Sequence, residues 1–170
     1  ISEGGSLSID ANNITFGTGS SIVVNGTLNL KLTEDFTVGS NFAKESKGII
    51  SCTDSFDFII DTDFEGPINF DCTKNVTLEN NKTVSFGTIK ANTFTNKGTT
   101  TVNSNLSVET VTNNGTLTIK EDSEIKNFSN NGSAIVDDSK TLKITKKFNN
   151  EGTFTGKLNL SGSELETNIK

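Results

Sequence analysis

The 170-residue chain is one domain long; Asn, Thr, Ser and Gly supply 80 of its residues, and His, Met, Trp, Tyr, Arg and Gln are absent. Those absences exclude an imidazole base, a histidine metal site, Ser–His and Cys–His nucleophile pairs, and a guanidinium fork for phosphate. A net charge of −6 with no basic domain argues against a nucleic-acid partner, and no apolar run approaches the ~18 residues of a membrane span.

From the N-terminus, Gly-Ser-Leu-Ser-Ile at 5–9 returns as Gly-Thr-Leu-Asn-Leu at 26–30. Residues 39–48 fit no strand pattern and read as a loop or short helical excursion. Gly48-Ile-Ile-Ser-Cys-Thr then compares with Pro67-Ile-Asn-Phe-Asp-Cys-Thr. Ile50, Cys52, Phe56 and Phe58 match Phe70, Cys72, Val76 and Leu78 at a common offset of 20. In the second half the step shortens. Thr83, Thr99, Thr116, Ser133 and Thr153 open successive strands after Asn-rich turns. Phe94, Val111, Phe128 and Phe148 advance beside them in steps of 17, 17 and 20. Between turns, apolar and polar residues alternate, as in Leu117 and Ile119 or Leu142 and Ile144, which is the period of half-buried strands. The Asn-Gly pairs are expected to supply positions that tolerate positive φ.

A meander of hairpins would also put Asn-Gly between strands. The near-constant repeat length, with apolar columns recurring once per repeat, favours an all-β fold instead. It is a single-chain parallel β-helix, or β-solenoid, of about eight or nine coils of roughly 16–21 residues. It spans 1–170 as one domain and makes a rod about 40 Å long at the ~4.8 Å strand spacing.

Asn-Asn-Gly-Thr-Leu-Thr-Ile at 113–119, followed by a polar turn, another strand and another Asn-Asn-Gly, resembles bacterial surface β-helix proteins of the filamentous-haemagglutinin and autotransporter-passenger type. The likeness is carried mainly by residues 80–160. It implies an extracellular, secreted or surface-displayed rod that works in adhesion or matrix building, with host-surface or matrix glycans and proteins as partners and no catalytic residues.

The residues themselves suggest further roles. A β-helix exposes strand edges at both ends, and no amphipathic capping helix is evident at either terminus. The expectation is therefore a fibre or filament subunit that self-associates end to end, or part of a longer adhesin rod with flanking domains. The chain reads as a mature product or an excised fragment.

If Leu117 and Ile119 point inward, Thr116 and Thr118 point outward. Thr99 with Thr101, Thr153 with Thr155, and more weakly Thr83 with Ser85, do the same. Such Thr-x-Thr rows resemble the ice-binding surface of antifreeze β-solenoids, which makes ice binding the alternative function, although Thr is also simply a good strand residue. Cys52 and Cys72 fall in adjacent coils, within reach of a disulfide or packed as two buried thiols. Asp61 and Asp63 are the best fragment of an acidic stretch that could hold Ca²⁺, though no calcium-loop motif surrounds them and no cofactor is otherwise expected. Lys140, Lys143, Lys146 and Lys147 form a basic cluster without the aromatics that nucleic-acid stacking uses. Nine Asn-X-Ser/Thr acceptors occur, Asn75 among them. A polysaccharide-acting β-helix enzyme is less favoured, because the usual base and the sugar-stacking aromatics are missing.

Overall fold

Alternation along each strand decides which side chains face inward, and the same inward positions recur coil after coil. In a computed structural model, which describes residues 1–72, 76–162 and 166–169, the outcome is an all-β parallel solenoid of about eight turns, with no helix among the described residues. A coil contributes up to three strand segments, which build three faces.

The first face stacks the start of Thr83–Asn96 with Thr99–Val102, Thr116–Ile119, Ser133–Val136 and Thr153–Thr155. The second runs from Ser6–Ala11 through Thr27–Leu32 and Ile49–Cys52 to Lys157–Leu160. The third runs from Phe36–Val38 and Asp57–Ile60 to Glu166–Ile169.

The apolar columns are in register as the spacing requires. On the third face Phe36, Phe58, Leu78, Phe94, Val111, Phe128 and Phe148 stand in one line. All seven are essentially fully buried. On the second face Leu28, Ile50, Phe70, Ile89 and Leu106 do the same. Burying one such side chain contributes roughly 1.5–3 kcal/mol, so these columns dominate the stability of the rod.

Coil length sets what fills the interior. Ser6 pairs with Thr27 and Thr27 with Ile49, so the first coils take 21 and 22 residues. Their wider cross-section is filled by Phe16, Phe36, Phe42, Phe58, Phe64 and Phe70, whose ring centroids lie 5.0–6.4 Å apart, mostly edge to face. From Ile89 to Leu106 and from Val108 to Ile125 a coil takes 17 residues, and aliphatic side chains replace most of the rings. The later step of 20 has two sources. The turn around Asp137–Lys140 is longer, and beyond Ile125 the register shifts so that Thr145 and Lys146 together oppose Lys126.

Two expectations need correction. The Asn-Gly turns do not use positive φ, which among the described residues occurs only at Gly4, Gly19 and Gly156. Glycine is required there because successive turns touch. A Cβ on Gly115 would overlap the carbonyl oxygen of Gly98, and one on Gly132 that of Gly115. The backbone N–H groups of Asn114 and Gly115 both donate to the Asn96 carbonyl at 2.8 and 3.2 Å, which draws the turns together. The segment 39–48 has no regular strand, but it does not leave the coil either. Phe42 bridges to Ile22, and Phe42 and Ser46 are both fully inside.

Candidate functional site

The first face carries the Thr rows. Thr83, Thr99, Thr116, Ser133 and Thr153 form one outward row, and Ser85, Thr101, Thr118, Ile135 and Thr155 the other. Nine of these ten side chains bear hydroxyls and none is charged. Their spacing is the backbone's own, about 4.8 Å between coils and about 6.7 Å between alternate residues of one strand. Ile135, 37% exposed, interrupts the grid. Toward the N-terminus the face ends in acid. Asp63 Oδ1 accepts the Thr83 backbone N–H at 2.9 Å, and Lys44, Asp63, Glu65, Thr83, Ser85 and Thr99 line a shallow groove. The third face carries a smaller hydroxyl patch that the sequence reading missed: Thr93 and Thr95 stand in register with Thr110 and Thr112.

Beneath the surface lies a polar stack that was also missed. Asn80, Asn96, Asn113, Asn130 and Asn150 follow the Phe94 column by two residues in each coil and point inward, four of them with no exposure at all. Asn96 Nδ2 donates to Asn113 Oδ1 at 2.8 Å, Asn113 to Asn130 at 2.7 Å and Asn130 to Asn150 at 2.7 Å. Each of these amides also donates to a strand carbonyl of the following coil, that of Thr116, Ser133 or Thr153. At the N-terminal end of the ladder the hydroxyl of buried Thr100 accepts from Asn80 and donates to Asn96. The signal was present: period-two alternation gives Asn80, Asn96, Asn113, Asn130 and Asn150 the same parity as the buried Leu78, Phe94, Val111, Phe128 and Phe148 two residues before them.

Cys52 and Cys72 stand opposite one another on adjacent coils, with Cα atoms 4.4 Å apart, buried and joined as a disulfide. The weak calcium candidates are occupied otherwise. Asp61 forms an ion pair with Lys82 at 3.2 Å, and Asp63 holds the Thr83 amide. Among the described residues no cluster of three or more potential metal ligands is gathered. Within the basic cluster, Lys140 pairs with Glu121, and Lys143 with Glu124 at 3.0 Å. The Asn75 acceptor lies outside the described residues. No described helix is long and apolar enough to cross a membrane.

Seven lysine–carboxylate pairs between described residues join adjacent coils, and in each of these seven the lysine lies on the later coil: Lys31 to Asp10, Lys90 to Asp71, Lys97 to Glu79 and Lys126 to Glu109 behave like those above. The hydrogen bond each lysine donates to its carboxylate partner, Asp10 or Glu121, raises the pKa of Lys31 and of Lys140 respectively. Comparison with protein-family models, with curated proteins and with solved structures finds no match, so the functional reading rests on the faces, the interior stacks and the ends of this rod.

Proposed function

We propose that the chain is an extracellular structural or adhesive rod, a segment of a surface fibre or adhesin stalk, and not an enzyme. One observation carries this reading: the links between side chains run along the rod axis. Backbone ladders, the asparagine stack, the disulfide and seven lysine–carboxylate pairs all tie one coil to the next. A chain linked in this way resists axial extension and presents long, uniform faces to ligands such as surface or matrix glycans and proteins. The disulfide supports an oxidising compartment, since such bridges are rare where thiols are kept reduced. The test is immunogold electron microscopy of source cells, both intact and in thin section, with antibodies to this chain. Label on surface fibres is expected; label confined to the cell interior overturns the reading.

A second reading, ice binding, is favoured by the uncharged hydroxyl grid of the first face. Regular hydroxyl and methyl groups about 4.8 Å apart can order a layer of water. Thermal hysteresis that disappears in Thr116→Lys or Thr118→Lys would support it, and no hysteresis in the unmodified chain would remove it.

A further inference from the structure

We propose that the stacked turns shield the Asn-Gly pairs of this chain from succinimide formation, so that exposed asparagines in a deamidation-prone sequence persist in the folded rod. The pairs are Asn25–Gly26, Asn114–Gly115 and Asn131–Gly132.

In an unconstrained Asn-Gly sequence, the glycine backbone nitrogen gives its proton to water or hydroxide and attacks the asparagine Cγ. The N–Cγ bond forms, the Cγ–Nδ2 bond breaks and ammonia leaves, which closes a five-membered succinimide. Water then opens the ring to aspartate or isoaspartate. Glycine favours this reaction because no Cβ hinders its nitrogen.

Burial does not protect two of the three pairs. The side chains of Asn114 and Asn131 are exposed, so solvent base reaches both. Asn25 is half-buried, which makes the other two the sharper cases.

The attacking nitrogen, however, is engaged. Gly115 N–H donates to the Asn96 carbonyl at 3.2 Å, Gly132 N–H to the Asn113 carbonyl at 3.1 Å and Gly26 N–H to the Ile1 carbonyl at 3.2 Å. Ring closure removes that proton and puts Cγ in its place, inside the van der Waals contact distance of the same carbonyl oxygen. The hydrogen bond is forfeited and a repulsive contact replaces it.

The turn cannot retreat from this contact. A Cβ on Gly115 would lie 2.0 Å from the Gly98 carbonyl oxygen, and one on Gly132 2.1 Å from that of Gly115, so each turn is pressed against its neighbours. Asn131 Nδ2 also donates to Asn114 Oδ1 at 2.8 Å, which ties the Asn114 amide to the following coil. Closing the ring at Gly115 therefore requires neighbouring turns to separate.

A turn without these restraints lies in the same molecule. Thr18 is exposed and precedes Gly19, whose N–H donates to no described residue and where a Cβ would meet nothing within 4 Å. Thr18→Asn creates an Asn-Gly pair there.

The test incubates the full Thr18→Asn chain at mildly alkaline pH, folded by circular dichroism, beside the same chain reduced and unfolded in guanidinium chloride. Peptide mapping by mass spectrometry follows deamidation at each pair. In the folded chain, Asn114 and Asn131 are expected to react at least about tenfold more slowly than the pair at 18–19, the cost of one lost hydrogen bond and a displaced turn. In the unfolded chain the three rates should converge. The unmodified chain, folded and unfolded, gives the same comparison at Asn114 and Asn131 without relying on the variant. Amide hydrogen exchange should be slower at Gly115 and Gly132 than at Gly19.

Equal rates at the three pairs in the folded chain overturn the proposal, because exposure in a folded turn then decides the rate. Equal rates at Asn114 and Asn131 in the folded and unfolded chains overturn it as well, because local sequence then decides it. Rapid exchange of the Gly115 and Gly132 amides removes the restraint on which it rests. None of these outcomes touches the surface-labelling result.

Discussion

Asn113 donates its side-chain amide to Asn130 Oδ1, one coil onward, at 2.7 Å, and to the Ser133 carbonyl at 2.9 Å, while its own Oδ1 accepts from Asn96 at 2.8 Å. The side chain has no exposed surface. A buried amide is costly unless its donors and acceptor are all engaged, and here that happens only when neighbouring coils are in register. A slip of one residue would turn every Asn outward and every Thr of the flanking positions inward. The ladder therefore specifies alignment where the apolar columns alone, made of interchangeable Val, Leu and Phe, do so less sharply.

Replacing Asn113 with Leu removes one rung from the middle. Asn130 Oδ1 loses its donor and Asn96 Nδ2 loses one of its two acceptors. We expect a loss of about 3 kcal/mol, read as a fall in thermal midpoint of roughly 6–12 °C for a chain of this size. Asn113→Asp sharpens the test. Its second carboxylate oxygen would face Asn130 Oδ1 and the Ser133 carbonyl, both acceptors, so the fold favours the protonated acid and raises its pKa above that of the unfolded chain. Stability of this variant should be greatest below the ordinary aspartate range and fall as pH rises through it. A variant as stable at pH 7 as at pH 3.5, relative to the parent at each pH, would remove the argument.

Gly115→Ala probes the stacked turns. The added methyl overlaps the Gly98 carbonyl oxygen, a backbone atom that cannot rotate away. The turns at Gly98 and Gly115 would have to separate locally, and overpacking of this kind costs roughly 3 kcal/mol. Gly17→Ala, at a position where a Cβ meets nothing within 4 Å, serves as the control and should change stability by less than about 0.5 kcal/mol. Comparable losses in the two would show that close approach is not what selects glycine in these turns.

Much of this architecture was legible in the sequence because a solenoid writes its third dimension into its period. The steps from Thr83 to Thr99 and from Phe94 to Val111 are the coil lengths, and the paired columns they define are the columns found. The 20-residue offset put Cys52 against Cys72 for the same reason. What escaped was the purpose of polar residues. Asn-Asn-Gly is a turn signal by composition, and the interior role of Asn96 or Asn113 appears only when its parity is read against Phe94 or Val111. The glycine was assigned to backbone torsion, yet contact with the next turn requires it, and contact between coils is not visible in one coil's residues. The 39–48 segment was hard to read because Phe42 and Ser46 sit inside without a strand to announce them.

The Cys52–Cys72 bridge closes a separation of 20 residues between adjacent coils. On chain-entropy grounds a loop of that size is worth about 3 kcal/mol against the unfolded state. The Cys52→Ala, Cys72→Ala double variant should lose about that amount and remain folded, since both positions already lie in an apolar column. Both sulfurs are shielded, so a thiol reductant should act on the native protein only through local opening. Alkylation followed by mass spectrometry is expected to find no modified cysteine in the folded protein treated with dithiothreitol for minutes, and two after unfolding in the reductant. Rapid labelling of the native form would contradict the burial.

Lys31 and Lys140 provide the pH dependence at the surface. Hydrogen bonds to Asp10 and Glu121 raise both pKa values in the folded state. A raised lysine pKa contributes stability that is complete below the unfolded lysine value and disappears as pH rises through the folded one. The pH dependence therefore lies in the alkaline range, while at neutral pH the contribution is fully present. Both side chains are open to solvent, so salt should weaken the shift. Lysine side-chain NMR titrations should show later deprotonation of Lys31 than in Asp10→Asn, and of Lys140 than in Glu121→Gln. Unchanged titrations in these variants would show that the pairs are not maintained in solution.

Thr100 tests where the ladder ends. It lies in the first-face column between Val84 and Leu117, fully buried, and its hydroxyl accepts from Asn80 at 2.8 Å and donates to Asn96 at 2.9 Å. Asn80 Nδ2 keeps other acceptors in the Lys82 carbonyl at 2.9 Å and Asn96 Oδ1 at 3.3 Å, and Asn96 Oδ1 keeps Asn80 as a donor. Thr100→Val preserves shape, adds apolar surface to an otherwise apolar column, and leaves neither amide without a partner. The expected cost is about 1 kcal/mol, well below that of Asn113→Leu, because removing a terminal hydroxyl strands no buried group whereas removing a central rung does. Combining Thr100→Val with Asn113→Leu should give more than additive loss if Asn96, which touches both residues, transmits the disturbance. Strict additivity in urea unfolding would mean that each rung acts alone and that the stack is a row of independent pairs.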